Sequence, residues 1–352
     1  MENVIIYGAG YGGLLLSEIL QDNQINVLYF MDKSESKIGK TFNAISIVAP
    51  RPAQEKERHI PVIVGILQKG ALYDSIKVFL KDFGFLEIWH IIDYIQSKKM
   101  TNTRNLIFGC EQSCLLNHKN EIARVYNKLG DELSKKVYAG IFAYLSNEKN
   151  IEIPVLPYEK QYFAYDIYKK NLQEIFVDCG SAGGNIFPFL LENNKNQFCK
   201  YIAIDPAEKY AGLKEEYMKD ERVEVVSLAL ADQAGTLYLR DYLGMNAVIV
   251  ESETEGKAIL ADTLDNVIKR AGVIPTFIKI DVEGYEGRLM QGGRRNLEKN
   301  PLTAIAIYHR LTDLWEIPLY FIDHFPQNRF YIRSYMNINE SVFYSVPKER
   351  QM

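Results

Sequence analysis

The chain has 352 residues, 47% of them hydrophobic and 24% charged, with a formal net charge of −4. That composition is ordinary for a folded protein with a sizeable core, and the lack of a basic excess excludes the electrostatic footprint of a nucleic-acid binder. Four cysteines are too few for a disulfide framework in a chain this long, so a reducing cytoplasm is the expected compartment. No stretch approaches the roughly 18 consecutive apolar residues of a membrane span. The start, MENVIIYGAG, lacks the basic segment and cleavage site of a signal peptide. The length suggests about two domains.

The first unit opens with NVIIYGAGYGGLLLSEIL. A strand at Val4–Tyr7 runs into Gly8, Gly10 and Gly13 in a G-x-G-x-x-G pattern, and a helix carrying Leu14, Leu15, Leu16, Ile19 and Leu20 follows. A second strand, INVLYF, leads to Asp32, 19 residues after Gly13. In a dinucleotide fold such glycines let the backbone approach a pyrophosphate, the helix N-terminus supplies N–H donors, and the acid meets a ribose hydroxyl. The same turn can equally serve packing and bind nothing. A strand PVIVGIL, a helix over Leu72–Phe83 and a strand LEIWHIIDY complete an alternating series through residue 96, a small doubly wound domain. GAGYGG, MDKSESKIGK and this order of elements resemble the nucleotide-binding N-terminal domains of bacterial sugar-modifying enzymes, such as the PglD-like acyltransferases. That resemblance implies a nucleotide or nucleotide-sugar ligand.

Residues 97–159 read as a helical connector. Ile122, Val125, Leu129, Leu133, Val137 and Ile141 recur at three- and four-residue steps, with Gly130 and Asp131 placed to break the run in two. Within CEQSCLLNH, Cys110, Cys114 and His118 share one helical face. The set lacks the C-x-x-C spacing usual for zinc and reads as core.

The second unit, residues 160–352, is richer. In EIFVDCGSAGGNIFPFLL a strand from Ile175 to Asp178 meets Gly180 and Gly184, and the next strand, YIAIDP, ends at Asp205, 21 residues beyond Gly184. VEVVSLAL, TLYL with AVIV as a hairpin, TFIKID, LTAIAIYH and the terminal pair RFYIRSYM and SVFYSV follow as strands. Five parallel strands with helices, closed by an antiparallel C-terminal hairpin, make the α/β, Rossmann-like architecture of class I S-adenosylmethionine methyltransferases. An NAD site is the competing reading, since the same offsets serve its ribose. Positions 180–185, GSAGGN, lack an intact G-x-G-x-x-G.

VDCGSAGGNIF, IAIDP, SLALADQAGTLYL, ADTLDNV and above all FIKIDVEGYEGRLMQGG, in this order, resemble the FkbM family of methyltransferases over about residues 160–347. The resemblance implies S-adenosyl-L-methionine as cofactor and O-methylation of a sugar, glycan or other small molecule, in surface-polysaccharide biosynthesis. Asp178, Gly180 and Gly184 match the family's cofactor-binding positions, as does Asp205. Ser181, in the same turn, stands with Ala182 and Gly183 where many members read Ala-Asn-Ile. Tyr162 and Phe163, in QYFAYDIY, cap the cofactor or pack an entry segment.

Methyl transfer to a hydroxyl needs help in removing its proton, from a base or a metal. Asp281 and His309 fall at the carboxyl ends of the fourth and fifth strands, where such sheets bind ligands. They read as base plus orienting acid or as two ligands of a divalent cation. His309 argues against magnesium, which prefers oxygen. The favoured reading makes His309 the base, with Asp281 and Glu283 placing substrate or cofactor and no metal. Glu286 reads as a solvated helix-start residue, and Lys279 as paired with an acid and without catalytic role. An NAD-dependent oxidoreductase and a non-catalytic sugar-nucleotide binder are the alternatives. The oligomeric state is open, a homo-oligomer included.

Overall fold

The structure is a computed structural model that describes residues 2–66, 71–100, 112–146, 153–206, 215–241, 247–250, 252–335 and 337–352. Contacts divide the chain into two units, Met1–Gly109 with Asp241–Ala247 and Cys110–Arg240 with Val248–Met352. Among the described residues no helix is long and apolar enough to cross a membrane.

The N-terminal unit alternates strands and helices: β1 (Asn3–Tyr7), helix Tyr11–Asp22, β2 (Asn26–Met31), β3 (Thr41–Phe42), β4 (Ile45–Val48), β5 (Val62–Val64), helix Ala71–Asp82, β6 (Ile88–His90) and helix Ile91–Ser97. The sheet order is β3-β4-β2-β1-β5-β6. All its neighbours run parallel except the β3–β4 pair. A parallel sheet needs cover on both faces: helix Tyr11–Asp22 contributes Leu14, Leu16, Ile19 and Leu20, all fully buried, and a separate cluster joins Ile5, Tyr7, Val62 and Val64 to Tyr73, Leu80 and Phe85. Gly13 is required for that approach, because a Cβ there would stand 1.9 Å from the Gly8 carbonyl oxygen. The segment IWHIIDY, read from sequence as one strand, is a strand only to His90. The His90 Nδ1 then accepts the Ile92 N–H at 3.3 Å and caps a helix.

In the C-terminal unit, helices Gln112–Asn117, Lys119–Lys128 and Glu132–Leu145 precede β7 (Ile175–Cys179). Gly130 and Asp131 break the helical run: the Gly130 N–H donates to the Phe330 carbonyl at 2.7 Å, and Asp131 caps the following helix by accepting the Ser134 N–H at 2.8 Å. Val125, Leu129, Val137, Tyr138 and Ile141 from this segment belong to the main core. The segment read as a connector thus packs as an integral layer, because its apolar stripe needs a partner surface. Cys110 lies outside the described residues. His118 stacks on Trp315, ring centroids 4.7 Å apart, and its Nδ1 hydrogen-bonds the Cys114 carbonyl at 2.9 Å.

After helix Phe187–Asn193 come β8 (Lys200–Ile204), β9 (Val223–Val226), β10 (Ala229–Leu230), β11 (Gly235–Asp241), β12 (Ala247–Val250) and β13 (Lys257–Asp262). Helix Leu264–Ala271, β14 (Phe277–Ile280), helix Glu286–Gly292, β15 (Leu302–Ala306), helix Asp313–His324, β16 (Arg329–Tyr335) and β17 (Asn337–Val346) follow. The seven-stranded sheet has the order β16-β17-β15-β14-β7-β8-β9. Its last five strands run parallel, while β17 is antiparallel to both β15 and β16. A four-stranded sheet, β10-β13-β11-β12, stands apart from it and makes neighbours of β11 and β12. The VEVVSLAL segment is therefore two strands in two sheets.

Alternation along the central strands covers both faces. Val177, Cys179, Ile278 and Ile280 enter one core, and Phe176, Tyr201 and Phe277 enter an aromatic core on the other side. Each such side chain contributes roughly 1.5–3 kcal/mol when fully buried, so the carboxyl ends of β7, β8, β14 and β15 rest on a rigid base.

Candidate active site

The turn after β7 is fixed by the backbone of β8. The N–H groups of Gly180 and Ser181 both donate to the Ile204 carbonyl, at 2.9 and 3.1 Å. Asp205, one residue past β8, accepts the Ala182 N–H on Oδ2 at 3.0 Å, and the Gly184 N–H closes the turn on the Ser181 carbonyl at 2.8 Å. Gly180 has φ +80°, and a Cβ on it would lie 1.7 Å from the Asp281 carbonyl oxygen. Its lack of a side chain lets the end of β14 press against this turn. The sequence reading gave that glycine to close approach by a cofactor, but the backbone of Asp281 occupies the space where its side chain would go.

Asp178 does not face the opening. It lies directly across from Lys279 in the β7–β14 register, where the Lys279 Nζ stands 3.0 Å from its Oδ1 and the Tyr201 hydroxyl donates to its Oδ2. Both side chains are buried. The Lys279 Nζ also donates to the Gly180 carbonyl at 2.5 Å. Burial alone would lower the lysine pKa, but Asp178 and Asp281 outweigh it and hold the ammonium charged. A lysine inside an apolar strand thus answers a cross-strand aspartate and ties the glycine turn to β14.

Above this pair the side chains become polar and converge. Asp281, just past β14, accepts the Tyr162 hydroxyl on Oδ2 at 2.6 Å and the Tyr308 hydroxyl at 3.2 Å. The His309 Nε2 stands 3.5 Å from Asp281 Oδ1 and 3.3 Å from Glu283 Oε2, while its Nδ1 meets Glu286 Oε1 at 2.8 Å. Glu286 Oε1 also accepts the Val282 N–H at 2.9 Å, which locks the loop around the histidine. Burial would lower the His309 pKa, yet Glu286 and Glu283 hold it well above its ordinary value. Burial would likewise raise Asp281, but Lys279 and then His309 keep its carboxyl below the usual range. The cluster therefore favours the charged form of His309 beside the Asp281 carboxylate.

Three non-glycine residues of this site adopt left-handed backbone, Tyr162 at φ +66°, Ala182 at φ +45° and Glu283 at φ +54°. Such conformations cost of order 1–3 kcal/mol each and persist where surrounding contacts enforce them. Here the Tyr162 N–H donates to the Tyr344 hydroxyl and its carbonyl accepts the Tyr168 hydroxyl, at 3.1 and 2.6 Å.

His309, Asp281, Glu283 and Tyr162 are thus brought together, with Gly180, Ser181, Gly184 and Asp205 on the neighbouring turn. Phe163 is not among them: it is 3% exposed and its ring packs against Phe176 in the aromatic core, centroids 6.1 Å apart. Glu286 corrects the sequence reading outright. It is fully buried, because its carboxylate turns back onto Val282 and His309 instead of out to solvent. His309 itself lies three residues past the end of β15 at Ala306. Tyr308, Glu340 and Gln161 had no part in the sequence reading. Burial and the nearby Asp281 push the Glu340 carboxyl up to about 7, while the Gln161 amide donates to it at 3.0 Å. A tyrosine beside the candidate histidine, and an acid inside the apolar alternation of the terminal hairpin, were the available signals.

In the N-terminal unit, Asp32 accepts the Ala9 N–H on Oδ2 at 2.7 Å and the Ser34 N–H on Oδ1 at 2.8 Å, with the Lys37 Nζ 3.5 Å away. Gly8 has φ +100° and donates its N–H to the Met31 carbonyl at 2.7 Å. Gly10 caps helix Tyr11–Asp22 with nothing within 4 Å of where a Cβ would sit.

No protein-family model and no curated protein match the chain. Among solved structures, the methyltransferase FkbM from Methylobacillus flagellatus superposes with a TM-score of 0.71 at 18% identity, over 97% of this chain and 89% of that one. At this identity the likeness shows the fold alone, a mixed α/β fold shared with that methyltransferase. The UDP-D-quinovosamine 4-dehydrogenase from Vibrio fischeri, 22% identical over 31% of this chain and 89% of its own, gives a TM-score of only 0.23. The CurJ carbon methyltransferase, 10% identical over 79% of this chain and 71% of its own, gives 0.28. Neither value carries structural weight.

Proposed function

We propose that the chain is an S-adenosylmethionine-dependent O-methyltransferase. The observation that carries this reading is the juxtaposition, at one sheet edge, of the Gly180–Gly184 turn, Asp205 and the Asp281–Glu283–His309 cluster. In this reading the cofactor lies along the turn, and Asp205 accepts its ribose hydroxyls. Tyr162 borders the reacting side, its ring also 5.2 Å from the Lys279 Nζ. Asp178 acts indirectly, by holding Lys279 and through it the Gly180 carbonyl. The acceptor hydroxyl rests against the acid–histidine cluster, which takes up its proton as the methyl group moves. Positioning supplies most of the rate, since the sulfonium is already an activated donor.

The acceptor is a sugar or a nucleotide-linked glycan intermediate in this reading, recruited with help from the Gly8–Gly13 turn and Asp32. The likeness to a methyltransferase called FkbM supports the transferase part, and the glycine turn of the N-terminal unit supports a nucleotide carrier. Calorimetric titration with S-adenosylmethionine tests the first part. One site per chain is expected, at least tenfold weaker in Asp205→Ala, and no heat of binding would overturn it. Titration with nucleoside diphosphates and their sugar esters, in parent and Gly10→Val, tests the second.

A further inference from the structure

We infer that Asp281, Glu286 and His309 form a binding site for one divalent cation of mixed oxygen–nitrogen preference, of the manganese, iron, cobalt or zinc class. Each of the three residues offers a ligand atom within 4.8 Å of the others. One of the spacings that matter is already close to that of a metal centre. Ligands at about 2.1 Å from a tetrahedral ion stand roughly 3.4 Å apart. The His309 Nε2 is 3.5 Å from Asp281 Oδ1, while Glu286 Oε1 meets the other ring nitrogen, Nδ1, at 2.8 Å and leaves Oε2 as the oxygen for the ion.

An acidic cluster alone would not make a site; two buried atoms point to a missing ligand. The His309 Nε2 is buried, faces the Asp281 and Glu283 carboxylates and makes no well-directed hydrogen bond. Its side chain is only 10% exposed. Glu286 uses Oε1 for Val282 and His309, while its Oε2 is buried and without a partner among the described residues. Buried polar atoms of native proteins are nearly always satisfied, and a bound ion is one recognised partner for those that are not satisfied by the protein. The charge balance agrees. Asp281, Glu283 and Glu286 surround one histidine, and the nearby Lys279 is shared between Asp178, its ion-pair partner, and Asp281.

The donor set selects the ion class. Two carboxylates and an imidazole suit manganese, iron, cobalt and zinc, whereas magnesium and calcium prefer oxygen throughout. Asp281 is further fixed by the Tyr162 and Tyr308 hydroxyls, the outer-layer support that metal-binding carboxylates commonly have. Glu283, on the more exposed side, borders the position left for water or an acceptor oxygen. His309 is then a ligand instead of the base.

The test uses the full chain after chelator treatment. Manganese is titrated in while the electron-paramagnetic signal of the free ion is followed, and cobalt absorption reports the coordination geometry. One ion per chain is expected, with cobalt bands of a four- or five-coordinate site and affinity reduced at least tenfold in Asp281→Asn and in Glu286→Gln. Unchanged affinity in both variants, or no stoichiometric binding by the parent, overturns the site. Should both variants fail to fold, the parent decides: sub-stoichiometric manganese must broaden the His309 imidazole resonances, and unbroadened resonances contradict the proposal. The site stands on the cluster and not on methyl transfer. Cofactor binding without ion binding would remove the cation site and spare the proposed function, and ion binding without cofactor binding would do the reverse.

Discussion

Two strand–glycine–helix turns occur in this chain, and they differ in what surrounds them. In both, an aspartate one residue past the second strand reaches back to a backbone N–H of the turn, Asp32 to Ala9 at 2.7 Å and Asp205 to Ala182 at 3.0 Å. In both, one glycine exists for a backbone contact that a side chain would forbid, Gly13 against Gly8 and Gly180 against Asp281. The acid and glycines that signal a ligand in sequence are therefore also a way to pack a turn against its own sheet. The second turn differs because Lys279, Asp281, Glu283, Glu286, His309 and Glu340 crowd the adjacent strand ends, several with displaced pKa values. Perturbed titrating groups in a cleft are a stronger functional sign than a glycine pattern.

The largest contrast lies between Gly180→Ala and Gly10→Ala. The first puts a Cβ 1.7 Å from a backbone oxygen at φ +80°, the second puts one into open space. Urea unfolding is expected to show a loss above about 4 kcal/mol for the first and within about 1 kcal/mol for the second. Equal losses would undo the comparison. Lys279→Met comes next, with about 3–5 kcal/mol, because it strands the buried Asp178 charge. Adding Asp178→Leu should restore part of that loss, and additive losses would show that the pair is not coupled.

His309→Ala is expected to lower methyl transfer by about 10²–10⁴-fold and to leave S-adenosylmethionine affinity within about threefold, the interaction free energy of a neighbouring, non-contacting residue being small. Retained turnover would remove His309 from the chemistry.

The smallest effects are pH-dependent and opposite in sign in the two units. The Arg51 guanidinium beside Glu57 holds that carboxyl at about 2, below its ordinary 4.5. This stabilisation is complete above pH 4.5 and lost as pH falls towards 2. Burial and Asp281 raise Glu340 to about 7, so its contribution is complete below pH 4.5 and lost as pH rises through about 7. Glu57→Gln should thus destabilise at pH 6 and converge with the parent near pH 2. Glu340→Gln should match the parent at pH 4 and exceed it at pH 8. Parallel pH profiles for the two substitutions would refute the assignment.

Much of the fold was legible because strand periodicity, glycine turns and acids at fixed offsets are local signals. The five parallel strands, as segments along the chain, and the closing hairpin followed from them. What was not legible depends on register and depth. That Lys279 answers Asp178 requires knowing that β14 and β7 are neighbours in that alignment. Glu286 looks solvated at a helix start until the loop from Val282 is seen to fold its carboxylate beneath His309. Glu340 lies 31 residues after His309 in sequence and joins the site only because β17 pairs with β15. His90 ended a strand and began a helix by side-chain capping, which apolar patterning does not reveal.

Titration of the purified chain with S-adenosylmethionine, beside Asp205→Ala and Asp32→Ala, tests the central claim most directly. One site is expected, weakened at least tenfold by Asp205→Ala and unchanged by Asp32→Ala. No binding by the parent, or equal loss in both variants, would contradict the assignment of the cofactor to the second turn.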